Sequence, residues 1–283
     1  MWVANTDRFP MGIVVLYFVM VGNAIIALLY PWTGIVLAYL MAILTPQSIW
    51  WWAFENVRPL YWVLVPTLAG FALAVLRGKV NFSSLNTRLN RCVGILWLTS
   101  TISFYFGPYV DVYNDYRFYD PAFMFSTWQK TLLAYVLAIV LVDSPKKLKA
   151  LSVVIIVTAA YMTYWANEQY VVYGKFGRLH GPAGLEGSSI YSDENNFAVL
   201  FVIGFPFLYY FGRYLNNKIF AWASWAIIPF CWHAIFLTGS RGALLGVVAS
   251  LFVFVRRSER KTLGVLVVVC FLGAFVWQAG DVM

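Results

Sequence analysis

About ten apolar stretches, most of them long enough to cross a membrane, leave this chain few folds to adopt. They fall at approximately 11–29, 32–45, 59–76, 92–109, 122–142, 150–166, 195–211, 219–237, 243–255 and 262–278, against a bilayer core that takes about 20 apolar residues per helix. Tyr30-Pro31-Trp32 divides the first pair; a single kinked helix over 11–45 would reverse the N-terminus. Hydrophobic side chains make up 61% of the 283 residues and charged ones 11%, where a soluble domain carries about 45–50% and 25%. A surplus this large cannot be hidden in a soluble core of this size. The chain therefore reads as an all-α, polytopic integral membrane protein of about ten transmembrane helices, a single membrane domain over 1–283.

The basic residues set its orientation. One set of alternate loops holds Arg77, Lys79, Arg88, Arg91, Lys146, Lys147, Lys149, Arg213, Lys218, Arg256, Arg257, Arg260 and Lys261. The other holds Arg58, Arg117, Lys175, Arg178 and Arg241, with Lys130 just inside a span near that face. The split is thirteen to six, with Arg8 unassigned, so the first set is expected in the cytoplasm. Sorting of this kind accounts for the net charge of +8 without a polyanionic ligand, and no nucleic-acid partner is expected. Trp50, Trp51, Trp52, Tyr61 and Trp62 stand where an aromatic belt belongs. Cys92, Cys231 and Cys270 lie in apolar runs with neither metal-ligand spacing nor a disulfide partner. The run from Met11 lacks a small-residue cleavage pattern, and P-loop, dinucleotide, zinc and nucleophile-elbow motifs are missing from the chain.

The cytoplasmic connections are short and basic, whereas the outer face carries Val110–Pro121 and a longer loop at 167–193. Loops longer than about 12–15 residues are usually functional or disordered, which puts the chemistry outside. Arg241, in Thr238-Gly239-Ser240-Arg241-Gly242, opens a span on the face where positive charge is disfavoured. Thr238 or Ser240 is positioned to cap that helix, and a helix N-terminus beside a guanidinium suits a phosphate. The alternative is an interfacial arginine reaching to water. Arg178, and more weakly Lys175, can hold a second phosphate or stand as solvated loop charge. His180 is the histidine of the outer loops and a candidate general base, an imidazole being suited to proton transfer near neutral pH. His233 sits inside a span and is expected to bond a neighbouring helix. Asp193-Glu194-Asn195-Asn196 opens the seventh span, either as helix caps or with a carboxylate or amide that pairs with Arg178 or orients an acceptor hydroxyl. Asp111, Asp115 and Asp120 read as a hydrated loop rather than a cation site. Lys130 and Gln129 lie about two turns into their span, Lys130 within reach of the interface. Gly242 and Gly246 form a small-residue step suited to close helix packing.

Arg178-Leu-His-Gly-Pro, then Tyr191-Ser-Asp-Glu-Asn-Asn-Phe-Ala198, then Thr238-Gly-Ser-Arg-Gly-Ala-Leu-Leu-Gly246 occur in that order. Together they resemble the O-antigen ligase and polymerase superfamily, most nearly the O-glycosylation ligases associated with exosortase systems. The Tyr30-Pro-Trp-Thr-Gly stretch and Trp51-Trp52 ahead of Arg58 fit that branch. The resemblance covers most of the chain, with its distinctive motifs in the last hundred residues. It implies a GT-C type fold in the bacterial inner membrane and an inverting, metal-independent glycosyltransferase that needs no cofactor. The donor it implies is a glycan on undecaprenyl diphosphate; the acceptor is a lipid, a protein or another glycan at the periplasmic face. Arg178 and Arg241 match the family's two diphosphate-holding arginines, with Lys175 and Ser240 beside them. The family's catalytic histidine lies in a later outer loop followed by further spans, so the chain is expected to be the N-terminal portion of a longer protein. Two other functions fit the composition: a flippase for lipid-linked glycans, which would line a path with intramembrane charge, and a non-catalytic scaffold within a membrane complex.

Overall fold

The computed structural model describes residues 10–54, 57–107, 121–175, 177–182, 189–214 and 217–257, with Val269 and Gly273. Among these residues every regular element is helical, and six helices are long and apolar enough to cross a membrane. The protein is thus an all-helical, multi-pass membrane protein, as expected where lipid offers no partner to an open backbone. The helices are α1 (Pro10–Leu29), α2 (Pro31–Leu44), α3 (Pro46–Ile49), α4 (Pro59–Leu76), α5 (Arg88–Phe106), α6 (Pro121–Leu141), α7 (Pro145–Tyr173), α8 (Glu194–Tyr214), α9 (Lys218–Thr238) and α10 (Arg241–Arg257). Nine of them answer to the first nine expected spans. The six that meet the length and hydropathy requirement run over Pro31–Ile49, Pro59–Leu76, Met124–Leu141, Pro145–Tyr173, Glu194–Tyr214 and Lys218–Thr238. The tenth expected span, 262–278, lies outside the described residues save for Val269 and Gly273, as do Cys270, Arg117, Asp111, Asp115 and Asp120.

Prolines and caps set the boundaries. Pro31, Pro46, Pro59, Pro121 and Pro145 each stand at the first helical position, where the missing N–H would have no helical partner and φ is already suitable. The Thr87 hydroxyl receives Asn90 N–H at the start of α5, and the Asn217 side chain receives Ile219 N–H at the start of α9. Gly239 ends α9 in the left-handed conformation, φ 65°, which glycine adopts without penalty. One expectation is corrected in extent: α7 continues past Ala166 to Tyr173, so the loop placed at 167–193 begins at Gly174. At 29 residues α7 is about 43 Å long, more than a bilayer core of about 30 Å requires.

The backbone falls into two compact units, 1–39 with 59–151 and 40–58 with 152–283. In the first, α1 and α4 pack closely: a Cβ on Gly70 would collide with the Leu28 carbonyl, and one on Gly34 of α2 with Thr67 of α4. Small residues at such seams let backbones approach and gain dispersion contacts. In the second, Phe197, Phe201, Leu208, Ile235, Leu237 and Val247 are fully buried between α8, α9 and α10. Gly204 of α8 lies so near α7 that a Cβ would stand 2.5 Å from Ala159 Cβ. Gly246 meets Val202 closely, as the small-residue step implies, while Gly242 faces open space. This second unit carries the candidate site residues Lys175, Arg178, His180, Asp193, Glu194, Ser240 and Arg241.

Candidate functional site

Two backbone hydrogen bonds fix the segment that holds Arg178 and His180. Leu179 N–H donates to the Leu237 carbonyl at the end of α9, 2.9 Å, and Gly181 N–H donates to the Tyr191 carbonyl, 2.8 Å. The segment is therefore held against the α9–α10 turn on one side and the approach to α8 on the other. Gly177 and Arg178 both take positive φ, 73° and 47°. Such a conformation is rare and costly for a residue with a Cβ, so Arg178 is kept there by the bond at Leu179. The Arg178 backbone amide lies against Gly239, 3.6 Å from where a Cβ on that glycine would stand. Arg241 follows two residues later as the first residue of α10. Both arginine side chains are exposed, and among the described residues no carboxylate pairs with either.

Ser240 ties the helix ends together. Its hydroxyl oxygen accepts from Ala243 N–H at 3.2 Å, capping α10, and the same hydroxyl donates to Asn195 Oδ1 of α8 at 2.7 Å. Thr238 does not cap α10; its hydroxyl donates to Ile235 O at 2.7 Å and accepts Ser240 N–H at 3.3 Å. Asp193 caps α8, its Oδ1 accepting from Asn195 N–H and Asn196 N–H at 2.9 and 3.0 Å. The carboxylate thereby complements the positive end of the helix and does not pair with Arg178. Glu194 instead approaches His180, Oε2 to Nδ1 3.5 Å, with the imidazole half exposed. The carboxylate stands at Nδ1, so Nε2 is the nitrogen left to exchange a proton with a ligand.

Tyr191 anchors this corner from below. Its ring is 3% exposed and its hydroxyl donates to the Ile43 carbonyl of α2. Burial pushes the phenol well above its ordinary value, so it stays a neutral donor. Gly181 is required by space: a Cβ there would stand 2.5 Å from Tyr191 Cβ and 2.8 Å from Phe197 Cδ2. Arg178, His180, Glu194, Asn195, Ser240 and Arg241 thus share one rigid corner of the second unit. Lys175 does not join them by any bond of its ammonium; its backbone N–H closes α7 on Gln169 O at 3.0 Å, and its side chain is exposed.

His233 bonds a neighbouring helix, as its place in a span led us to expect: Nδ1 lies 2.8 Å from Asn167 Oδ1 of α7. Asn167 donates its amide to Thr163 O and Phe230 O, 2.7 and 3.1 Å, which leaves Oδ1 to accept from the imidazole. The bonds of Asn195 to Ser240 at the site, and of Asn167 to His233 away from it, are contacts that sequence reasoning did not foresee. An asparagine reads as a loop residue or a cap, and nothing in its spacing announces a partner on another helix. Protein-family models, curated proteins and solved structures offer no match to this chain.

Proposed function

We propose that the protein is an O-antigen ligase-like, inverting glycosyltransferase. It takes a glycan from an undecaprenyl diphosphate carrier and joins it to a lipid, protein or glycan acceptor at the periplasmic face of the bacterial inner membrane. The observation that carries this reading is the bond from Leu179 N–H to Leu237 O. It brings Arg178, from one connection, beside the turn that leads into Arg241, and both guanidiniums are exposed. Two arginines without a carboxylate partner among the described residues, Arg241 opening a capped apolar helix and Arg178 beside the turn before it, suit a diphosphate attached to a membrane-embedded tail.

In the reaction the acceptor oxygen attacks the anomeric carbon, the bond from that carbon to the diphosphate breaks, and its electron pair leaves with the diphosphate. Arg178, Arg241 and the α10 amides meet the negative charge that grows on the leaving oxygen, and so favour the transition state over the bound donor. The acceptor's proton passes to a general base, a role the resemblance gives to a histidine of a later outer loop, while His180, with Glu194 at its Nδ1, shares the corner that holds the arginines. Lys175 adds positive charge to the approach, and Asp193 and Ser240 hold the helix ends. The test is binding of an undecaprenyl diphosphate-linked glycan to the purified chain and to Arg178→Ala and Arg241→Ala. Loss in both variants, with helicity and melting intact, supports the reading; equal binding in all three removes it.

A further inference from the structure

Two arginines and a helix end supply positive charge to the donor site, but not the direction in which a phosphate is held. Asn195 of α8 supplies that direction. The Ser240 hydroxyl oxygen accepts Ala243 N–H, and its proton goes to Asn195 Oδ1 at 2.7 Å. A carboxamide has one accepting end and one donating end, so this bond turns the Nδ2 amino group away from Ser240. Asn195 is exposed, and among the described residues nothing accepts from Nδ2. Its backbone N–H is held by Asp193 Oδ1 at 2.9 Å, which pins the turn that carries it. The side chain is therefore a neutral donor fixed at one end and free at the other.

The surroundings of that donor suit an anion. Ser240 leads directly into Arg241, and the Arg178 amide lies against Gly239 on the other side of it. Thr238 Oγ1 takes Ser240 N–H and Ser240 Oγ takes Ala243 N–H, which leaves the Arg241 and Gly242 N–H groups without a partner among the described residues. Gly242 keeps the approach to them open, since a Cβ there would meet nothing within 4 Å. The two neighbouring carboxylates are engaged elsewhere, Asp193 on the α8 amides and Glu194 at His180 Nδ1. Guanidiniums bring charge on long stems, whereas a short carboxamide locked at one end sets where one oxygen must lie. We propose that Asn195 Nδ2 donates to a phosphoryl oxygen of the diphosphate, an uncharged third contact beside Arg178 and Arg241. The inference rests on the donor reading above and adds to it a residue that orients the leaving group.

Undecaprenyl diphosphate without a glycan, titrated onto the full-length chain in phosphatidylcholine nanodiscs, tests it. Asn195→Asp keeps an acceptor for the Ser240 hydroxyl and loses the donor, and it should melt as wild type does because an acid suits the first turn of a helix. Its affinity should fall about ten- to a hundredfold. The ratio to wild type should persist in about 1 M salt, where repulsion through space is screened beyond about 3 Å. Asn195→Ala in a Ser240→Ala background removes the donor after the Ser240 bond is already gone, and should weaken binding about threefold or more beyond Ser240→Ala alone. No further loss in that background overturns the proposal, since Asn195 would then serve only to hold Ser240. So does undiminished affinity in Asn195→Asp, or a loss seen only when the lipid carries its glycan, because the contact would then be to sugar. Binding lost in Arg178→Ala and Arg241→Ala but kept in Asn195→Asp leaves the donor site standing without this contact, whereas no binding to wild type removes both.

Discussion

At the residue scale the informative position is Arg178, where a long charged side chain is held at φ 47°. Strain of this kind persists where the surroundings over-determine the backbone, and here the Leu179–Leu237 bond does so. Arg178→Gly and Arg178→Ala should therefore differ in stability and agree in function. The glycine variant should be the more stable by about 1 kcal/mol in thermal or denaturant unfolding, because it lacks the Cβ that the left-handed region penalises. Both should lose donor binding alike. Tyr191 gives a second test at this scale. Its folded-state value is raised by burial, so its stabilising effect is full below the ordinary phenol value of about 10 and fades above it, as the unfolded chain ionises first. Tyr191→Phe should cost about 0.5–1.5 kcal/mol at neutral pH through the lost hydrogen bond. It should also lose less stability than wild type between about pH 10 and 11.5 in melts taken across that window.

At the scale of elements, helix ends decide whether the site exists. Ser240 caps α10 and bonds Asn195 of α8 with one hydroxyl. Ser240→Ala should cost about 1 kcal/mol as a lost cap and weaken donor binding although both guanidiniums remain, which parallel melting and binding measurements would register. Gly204→Leu should be severe, since even a Cβ would stand 2.5 Å from Ala159; overpacking of this kind costs about 1–3 kcal/mol or more, read from the unfolding midpoint. Element positions were legible in the sequence because apolar runs and the prolines before them mark the helices strongly, from Pro31 through Pro145. The extent of α7 was not legible. Asn167, Glu168 and Gln169 read as a polar loop, yet they extend the helix because Asn167 finds partners at Phe230 and His233 on α9.

At the scale of the whole molecule, charge placement singled out two connections but said nothing of what they touch. Arg178 and Arg241 stood out by lying on the sparsely basic side, but their adjacency depends on a backbone bond between residues 58 positions apart, which no local pattern encodes. Asp193 shows the converse. As a carboxylate near two arginines it invited an ion pair, and the free amides of α8 claimed it instead. Orientation is open to a direct check. With Cys92 and the other native cysteines replaced by serine, Ile190→Cys should react with an impermeant thiol reagent from the outer face, and Phe82→Cys only after permeabilisation; both side chains are exposed.

The proposed diphosphate grip is best measured as a coupling. Affinity for an undecaprenyl diphosphate-linked glycan would be determined for wild type, Arg178→Ala, Arg241→Ala and the double variant. One diphosphate held by both arginines predicts a loss of roughly ten- to a hundredfold for each single variant and a double variant that departs from additivity by about 0.5 kcal/mol or more. Unchanged affinity across all four chains, with folding intact, would contradict it.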